Sequence, residues 1–326
     1  MKVLVTGGAG YVGSIVTEEL LARGYQVSVI DNLQQGHRSA VSSGAEFIKT
    51  DLKDKVALGK VFRDGKFDSV MHMAAETVIE FSMSDPRRYF KNNVANSLNL
   101  VDLMLKYEVK QLVFSSTAAT YGEPRNIPIA EDDPKNPVNS YGESKLMFEQ
   151  ILDWYGRAYG LKYVAMRYFN AAGASEKLGE DHRPETHLIP NVLKAAMSQD
   201  QSVSIFGEDY PTKDGSCVRD YVHVRDIAQA HVLALQNMNE VKGKAFNLGS
   251  GQGYSVKEII SEARRITKKP IAVEIKPRRP GDPAILLASR EYALKELKWQ
   301  PKYTDLNIII GSAWEWMQKH PQGYSV

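Results

Sequence analysis

Tyr141 and Lys145 stand four positions apart in the stretch SYGESK, residues 140–145. At helical spacing the two side chains share one face. A phenol of ordinary pKa near 10 is a poor base at neutral pH, and bringing it to about 7 takes some 4 kcal/mol of preferential stabilisation of the phenolate. A lysine ammonium and an oxidised nicotinamide could supply that; the phenolate could then take a proton from an alcohol while hydride leaves the same carbon. The pair alone is weak evidence, because 16 tyrosines in 326 residues give about one such spacing by chance. Its place carries the argument. The pair opens a predicted helix that follows a predicted strand at 111–114, on the side of a parallel sheet where a nicotinamide would lie. In FSSTAATYG, Thr117 follows that strand, and its hydroxyl could bond the reacting oxygen; hydroxyls that only satisfy loop backbone are the open alternative. Ser115 and Ser116 beside it are candidate cofactor contacts.

A dinucleotide needs a cradle, and VLVTGGAGYVGS supplies the residue types for one. Gly7, Gly10 and Gly13 lie between a short apolar run and a helical pattern; Gly8, Gly10 and Gly13 fit the looser template. Glycine lets the backbone turn sharply and approach a pyrophosphate, which then rests on the positive end of the helix. Asp31 closes the second predicted strand about 18 residues after Gly13. A carboxylate there can accept from the adenosine ribose and repel a 2′-phosphate, which favours NAD over NADP.

The elements that must position these groups are legible as alternation. Predicted strands at 3–5, 26–30, 46–49, 69–72, 111–114 and 163–167 alternate with predicted helices at 12–23, 53–62, 86–107 and 140–159. That order implies an α/β fold, a Rossmann-type doubly wound parallel sheet covered on both faces. Beyond Asn170 the pattern loosens. Residues 171–186 are polar, 207–220 and 276–283 read as loops, and helices are expected near 187–198, 225–236, 255–268 and 305–318. The expected organisation is a nucleotide-binding domain at 1–170 and a smaller α/β substrate domain at 171–326, with some segments crossing back.

Composition excludes several other functions. The formal charge is +2 with 41 basic and 39 acidic residues interspersed, so neither a nucleic-acid stripe nor a polybasic membrane patch is expected. No segment approaches the roughly 20 apolar residues of a membrane span. Cys217 is the single cysteine, so neither an intramolecular disulfide nor a cysteine metal cluster can form, and no metal is expected. A cytoplasmic protein fits this cysteine usage, and the start of the chain does not read as a signal peptide.

With these residues in place the chain resembles the extended short-chain dehydrogenase/reductase family, and within it the 4-epimerases of UDP-sugars. The stretches that carry the resemblance are VTGGAGYVGS, DNL at 31–33, FSSTAATYGEP, NPVNSYGESKLMFEQIL, AMRYFNAAGA, IFGEDYPTKDGSCVRDYVHVRDIAQAH, FNLGSGQGYSV and HPQGY. The long FGEDYPTKDG block is the most discriminating, since the glycine and Tyr/Lys motifs belong to the whole superfamily. The resemblance implies a tightly held NAD, reduced and reoxidised within each cycle, and interconversion of UDP-glucose and UDP-galactose through a transient 4-ketose, with Tyr141 as base. It carries cofactor contacts onto Gly7, Gly10, Tyr11, Val12, Asp31, Asn32, Asp51, Leu52, Ala74, Ala75, Asn92, Ser115, Tyr141, Lys145 and Tyr168. UDP-sugar contacts fall on Thr117, Asn170, His187, Leu188, Phe206, Arg219, Tyr221, Arg279 and Asp282. Arg219 and Arg279 suit a diphosphate through charge-assisted bonds. A homodimer is also implied.

Two departures matter. Thr77 stands where some of these enzymes carry lysine, and Leu287 is matched to a position where a bulky tyrosine is associated with excluding N-acetylated sugars. The related dehydratases and decarboxylases place a glutamate two residues beyond the Thr117 position; Ala119 is there, which suits a chemistry that stops at the ketone and reverses. A pentose or N-acetylhexosamine 4-epimerase, a short-chain alcohol dehydrogenase and a non-catalytic NAD(H) sensor are the rival readings. The last is weakened because both Tyr141 and Lys145 are present.

Overall fold

The computed structural model describes residues 1–198, 201–279 and 282–325. Its first strands are β1 (Lys2–Thr6), β2 (Gln26–Asp31), β3 (Glu46–Lys49), β4 (Ser69–His72), β5 (Gln111–Thr117) and β6 (Lys162–Tyr168). Among the described residues these pair in parallel in the order β3-β2-β1-β4-β5-β6, the order that creates a crevice where it reverses beside β1. Alternate side chains of β1 supply opposite faces, as the pleat requires: Val3 and Val5 enter one apolar core, and Leu4 enters the other. Both faces are therefore covered, and the strands read as continuous apolar runs.

The later strands are β7 (Asn170–Ala172), β8 (Ser202–Phe206), β9 (Val218–His223), β10 (Lys244–Leu248), β11 (Gly253–Ser255), β12 (Ala272–Lys276) and β13 (Ile285–Leu286). β10 returns to the first sheet and pairs with β6 as its seventh strand. The helix Val224–Gln236 likewise crosses back and packs on the helix Tyr11–Ala22. The remaining short strands make a small sheet around β9 and a β8–β12 pair. Helices Leu188–Met197, Val256–Thr267 and Leu306–Lys319 pack on one another beside them.

Sequence reading and structure differ in two places. The region 207–220, expected to be loop, contains the start of β9 at Val218. Its Arg219 and Asp220 masked the strand signal, because they pair with polar partners rather than with apolar core. The helix expected over 86–107 is interrupted: Pro86–Tyr89 and Asn96–Lys106 are α-helical, with a wider π-helical turn over Phe90–Ala95 between them. That turn directs both Asn92 and Asn93 toward Glu76, a use for which π turns recur at functional sites. Of the loop read at 276–283, residues 280 and 281 lie outside the described residues. Among the described residues no helix is long and apolar enough to cross a membrane.

One buried ion pair ties the helix Ser140–Tyr159 to the sheet. Arg167 of β6 donates to Glu149 of that helix at 3.0 and 3.2 Å, and the Ser116 hydroxyl of β5 donates to the same carboxylate. Both charged side chains are less than a tenth exposed. Replacing Glu149 by Ala would leave a guanidinium buried without its counter-charge. Urea unfolding of Glu149→Ala should show a loss of about 3–5 kcal/mol, and Glu149→Leu combined with Arg167→Met should recover part of it. Equal losses in the two proteins would contradict this account.

Candidate active site

The helix Ser140–Tyr159 begins where it must. Asn139 caps it, its side chain accepting from Gly142 N–H at 2.8 Å. Gly142 allows the close approach that follows: a Cβ there would stand 2.4 Å from the Ala119 carbonyl oxygen. The helix start therefore abuts the turn after β5, and Tyr141 is brought against Thr117. In SYGESK the glycine thus answers to packing, as the tyrosine and lysine answer to chemistry.

Tyr141, Lys145 and Thr117 all line one large cleft. The Tyr141 and Lys145 side chains do share a face, but their environment differs from the expected one. Burial pushes the Tyr141 phenol up to about 12, with a hydrogen bond from Thr117 pulling partly the other way. Burial draws the Lys145 ammonium down to about 7, opposed by the charge of Glu149. Its ammonium donates to the Ser115 carbonyl at 2.8 Å and lies 4.8 Å from the Phe114 ring centre. In the protein alone, therefore, Lys145 does not bring the phenol toward neutrality; desolvation of both groups wins. A bound cation is required to reverse the balance.

The glycine turn fits a dinucleotide by its own geometry. Gly7 adopts φ +70°, and a Cβ there would lie 2.6 Å from Ala74 N. A Cβ at Gly13 would lie 2.2 Å from the Gly7 carbonyl oxygen, so Gly13 lets the helix close on the turn. A Cβ at Gly10 would meet only that carbonyl oxygen, at 3.4 Å, and would otherwise project into open space beside the cleft. The cradle is a volume that any side chain at Gly10 would fill. Asp31, at the end of β2, accepts from Ala9 N–H at 3.1 Å and from Leu33 N–H at 2.8 Å. Burial raises its pKa, with those two bonds opposing. Asn32 donates to Asp51 at 3.0 Å. The Tyr168 and Ser115 hydroxyls bond each other, and Ser115 also donates to the Met73 sulfur at 2.9 Å.

The same cleft takes in Tyr11, Val12, Leu52, Ala74, Ala75 and Asn92, so every cofactor residue carried over by the resemblance lines it; Ser116 does not, because its buried hydroxyl is turned to Glu149. Thr77 lines it too. The expected sugar-nucleotide residues divide. Thr117, Asn170 and His187 line the cleft, with Leu188 opening the helix after His187. Phe206, Arg219, Tyr221, Arg279 and Asp282 are not on its wall. They lie on and beside β8 and β9, where Arg279 stacks 3.8 Å from the Phe206 ring centre and Arg219 pairs with Asp282. Tyr221 is coupled to the cleft through strand register, standing opposite Asn170 in the β7–β9 pair. Leu287 is also off the cleft wall; its carbonyl accepts from Ile129 N–H at 2.8 Å.

Sequence reasoning missed Glu76. This cleft residue is buried, and its carboxylate receives Gln34 at 2.9 Å, Asn92 at 3.1 Å and Arg88 at 2.7 Å. The available signal was position, since Glu76 follows the C-terminal edge of β4, the edge from which ligands are contacted in such sheets. Glu180 and His182 were missed as well, and both line the cleft.

Known proteins agree with this geometry. A model of the NAD dependent epimerase/dehydratase family matches residues 3–249. A UDP-glucose 4-epimerase of Halalkalibacterium halodurans is 51% identical over 328 residues, covering 100% of this chain and 98% of the relative. A crystal structure of a UDP-glucose 4-epimerase superposes with a TM-score of 0.97 at 46% identity, covering 100% of both chains. The Bifidobacterium longum UDP-glucose 4-epimerase in complex with NAD+ and UDP superposes at 0.93, with 37% identity over 99% of this chain and 100% of that one. The match extends over most of the sequence and the glycine cradle fits the cofactor its name specifies: the chain belongs to the NAD dependent epimerase/dehydratase family.

Proposed function

We propose that the protein interconverts UDP-glucose and UDP-galactose by inverting C4 through a transient 4-keto sugar, with tightly held NAD as its cofactor. One observation carries this reading: the Tyr141 phenol, the Thr117 hydroxyl and the Gly10 cradle open on the same cleft. When bound, NAD supplies a hydride acceptor and, once reduced, a hydride donor. The chain's own groups do the rest. Tyr141 Oη takes the proton of the C4 hydroxyl and later returns one to the ketone oxygen. The Thr117 hydroxyl orients that oxygen. Lys145, together with the positive charge of the oxidised cofactor, stabilises the phenolate, which burial alone disfavours. Asp31 accepts from the adenosine ribose, and Ser115, Tyr168 and Asn92 hold the nicotinamide end.

On the substrate side, His187 and Leu188 border the sugar nucleotide, Arg219 and Arg279 bind its diphosphate with Asn170 donating beside them, and Phe206, Tyr221 and Asp282 complete the sugar-nucleotide contacts. Ala119 places no acid beside the ketone, so nothing drives elimination and the sugar is returned at C4. Residues 1–170 form the NAD-binding unit and 171–326 the sugar-nucleotide unit, with β10 and Val224–Gln236 crossing back. We assign the working form to a cytoplasmic homodimer.

Incubation with UDP-galactose should yield UDP-glucose by NMR with no added NAD. Tyr141→Phe should lower turnover roughly 10²–10⁴-fold while retaining bound nucleotide, since only the proton acceptor is removed. Unchanged turnover would refute the role of Tyr141. Parallel incubations with UDP-N-acetylgalactosamine and UDP-xylose separate a hexose enzyme from its relatives.

Lys145 gives a pH signature. Its folded pKa near 7 lies below the ordinary lysine value of 10.5, so between these values the unfolded chain binds more protons. The penalty for burying the ammonium is fully present below about 7 and disappears as pH rises toward 10.5. In nucleotide-free protein, wild-type stability should therefore gain on Lys145→Met between pH 7 and 10. Urea unfolding at several pH values checks this; a constant difference would contradict it.

A further inference from the structure

Four side chains on the loop between β7 and the helix Leu188–Met197 converge at the edge of the cleft. In GEDHRPETHL, residues 179–188, Glu180, His182, Glu185 and His187 each offer a ligand atom, and these atoms all lie within 4.8 Å of one another. His187 Nδ1 is 2.8 Å from a Glu180 oxygen and 2.8 Å from a Glu185 oxygen, and His182 Nδ1 is 3.1 Å from the same Glu180 oxygen. An imidazole Nδ1 carries at most one hydrogen. It cannot give a full hydrogen bond to two carboxylates at once, so the two anions converge on one proton.

A second observation points the same way. The Glu185 side chain is 3% exposed; its Oε1 accepts from the Thr186 and His187 backbone N–H groups at 2.8 Å each as well as meeting His187 Nδ1, yet among the described residues its Oε2 has no hydrogen-bond partner. A buried carboxylate oxygen left bare is costly. Among the described residues, the ion pairs of Glu180 and Glu185 are only with these two imidazoles.

We propose that Glu180, His182, Glu185 and His187 bind one divalent transition-metal ion of the zinc class. Two imidazoles and two carboxylates form a nitrogen and oxygen donor set that zinc accepts in tetrahedral array. Donors at zinc distances stand about 3.4 Å apart, so the four atoms need only small rearrangement. The ion replaces the shared proton and balances the two carboxylates. Asp181 and Arg183, between the ligands in sequence, face elsewhere: Asp181 accepts from Tyr324 N–H at 3.0 Å, and Arg183 pairs with Asp181 at 2.9 Å. The ion would thus fix the inner side of a loop whose outer side is already held, and would position His187 at the cleft wall.

The test uses the full NAD-loaded protein, stripped with EDTA and titrated with zinc sulfate by calorimetry, with elemental analysis after gel filtration. The expected result is one zinc per chain, a raised melting temperature on addition, and zinc binding weakened at least about tenfold in both Glu185→Gln and His182→Asn. Glu185→Gln keeps the side chain's shape, and retained NAD with unchanged circular dichroism certifies its fold. Magnesium sulfate should bind far more weakly, because imidazole suits zinc better. Absence of stoichiometric zinc in folded wild-type protein, equal binding in the variants, or preference for magnesium would each overturn the proposal.

Discussion

The removal of water from Tyr141 and Lys145 is the constraint on which the rest of the site depends. Burial drives the phenol up to about 12 and the ammonium down to about 7, so both groups lean toward their neutral forms. A protein that ionised its own base in the free state would need a compensating charge built into the fold. Here the Lys145 ammonium is directed to the Ser115 carbonyl, and the compensation is left to what binds. On the proposed role of Tyr141 as base, cofactor occupancy and base strength are thereby linked, and the Gly10 cradle and Tyr141 do share one cleft.

Much of this was legible in the sequence because it rests on local backbone rules. Gly7 is required by a positive φ, and Gly13 by the approach of helix to turn, so both leave marks that spacing reveals. The first six strands are apolar because both faces of the sheet are covered. Other features depend on partners far away in the chain. The π turn at Phe90–Ala95 is set by Glu76, and the Lys145 partner is a carbonyl thirty residues earlier; neither has a local signal. β9 was hidden because Arg219 and Asp220 are satisfied by Asp282 and Ser250, which no periodicity reports. The Glu/His cluster escaped a reading that sought metal ligands among cysteines.

The strand pair β7–β9 joins the cleft to the Arg219–Asp282 pair. Asn170 faces the cleft and donates to the Asp220 carbonyl at 2.9 Å, while Arg219 beside it carries the ion pair to Asp282. Asp220 in turn accepts from Ser250 and Ala288 backbone N–H groups at 2.7 and 3.1 Å, so one buried carboxylate ties two further segments to β9. The register of β7 on β9 is therefore backed by hydrogen bonds that tolerate little slippage.

The Tyr324 hydroxyl holds Gly179 from 145 positions away, and its ring packs with those of Trp316, His320 and His37. On a ribosome advancing at about 5–20 residues per second, that partner arrives roughly 7 to 29 seconds after the segment it fastens. The nucleotide cradle can settle early in translation. The opposite rim must wait until Tyr324 has been made, so biosynthesis itself imposes an order of assembly on the cavity.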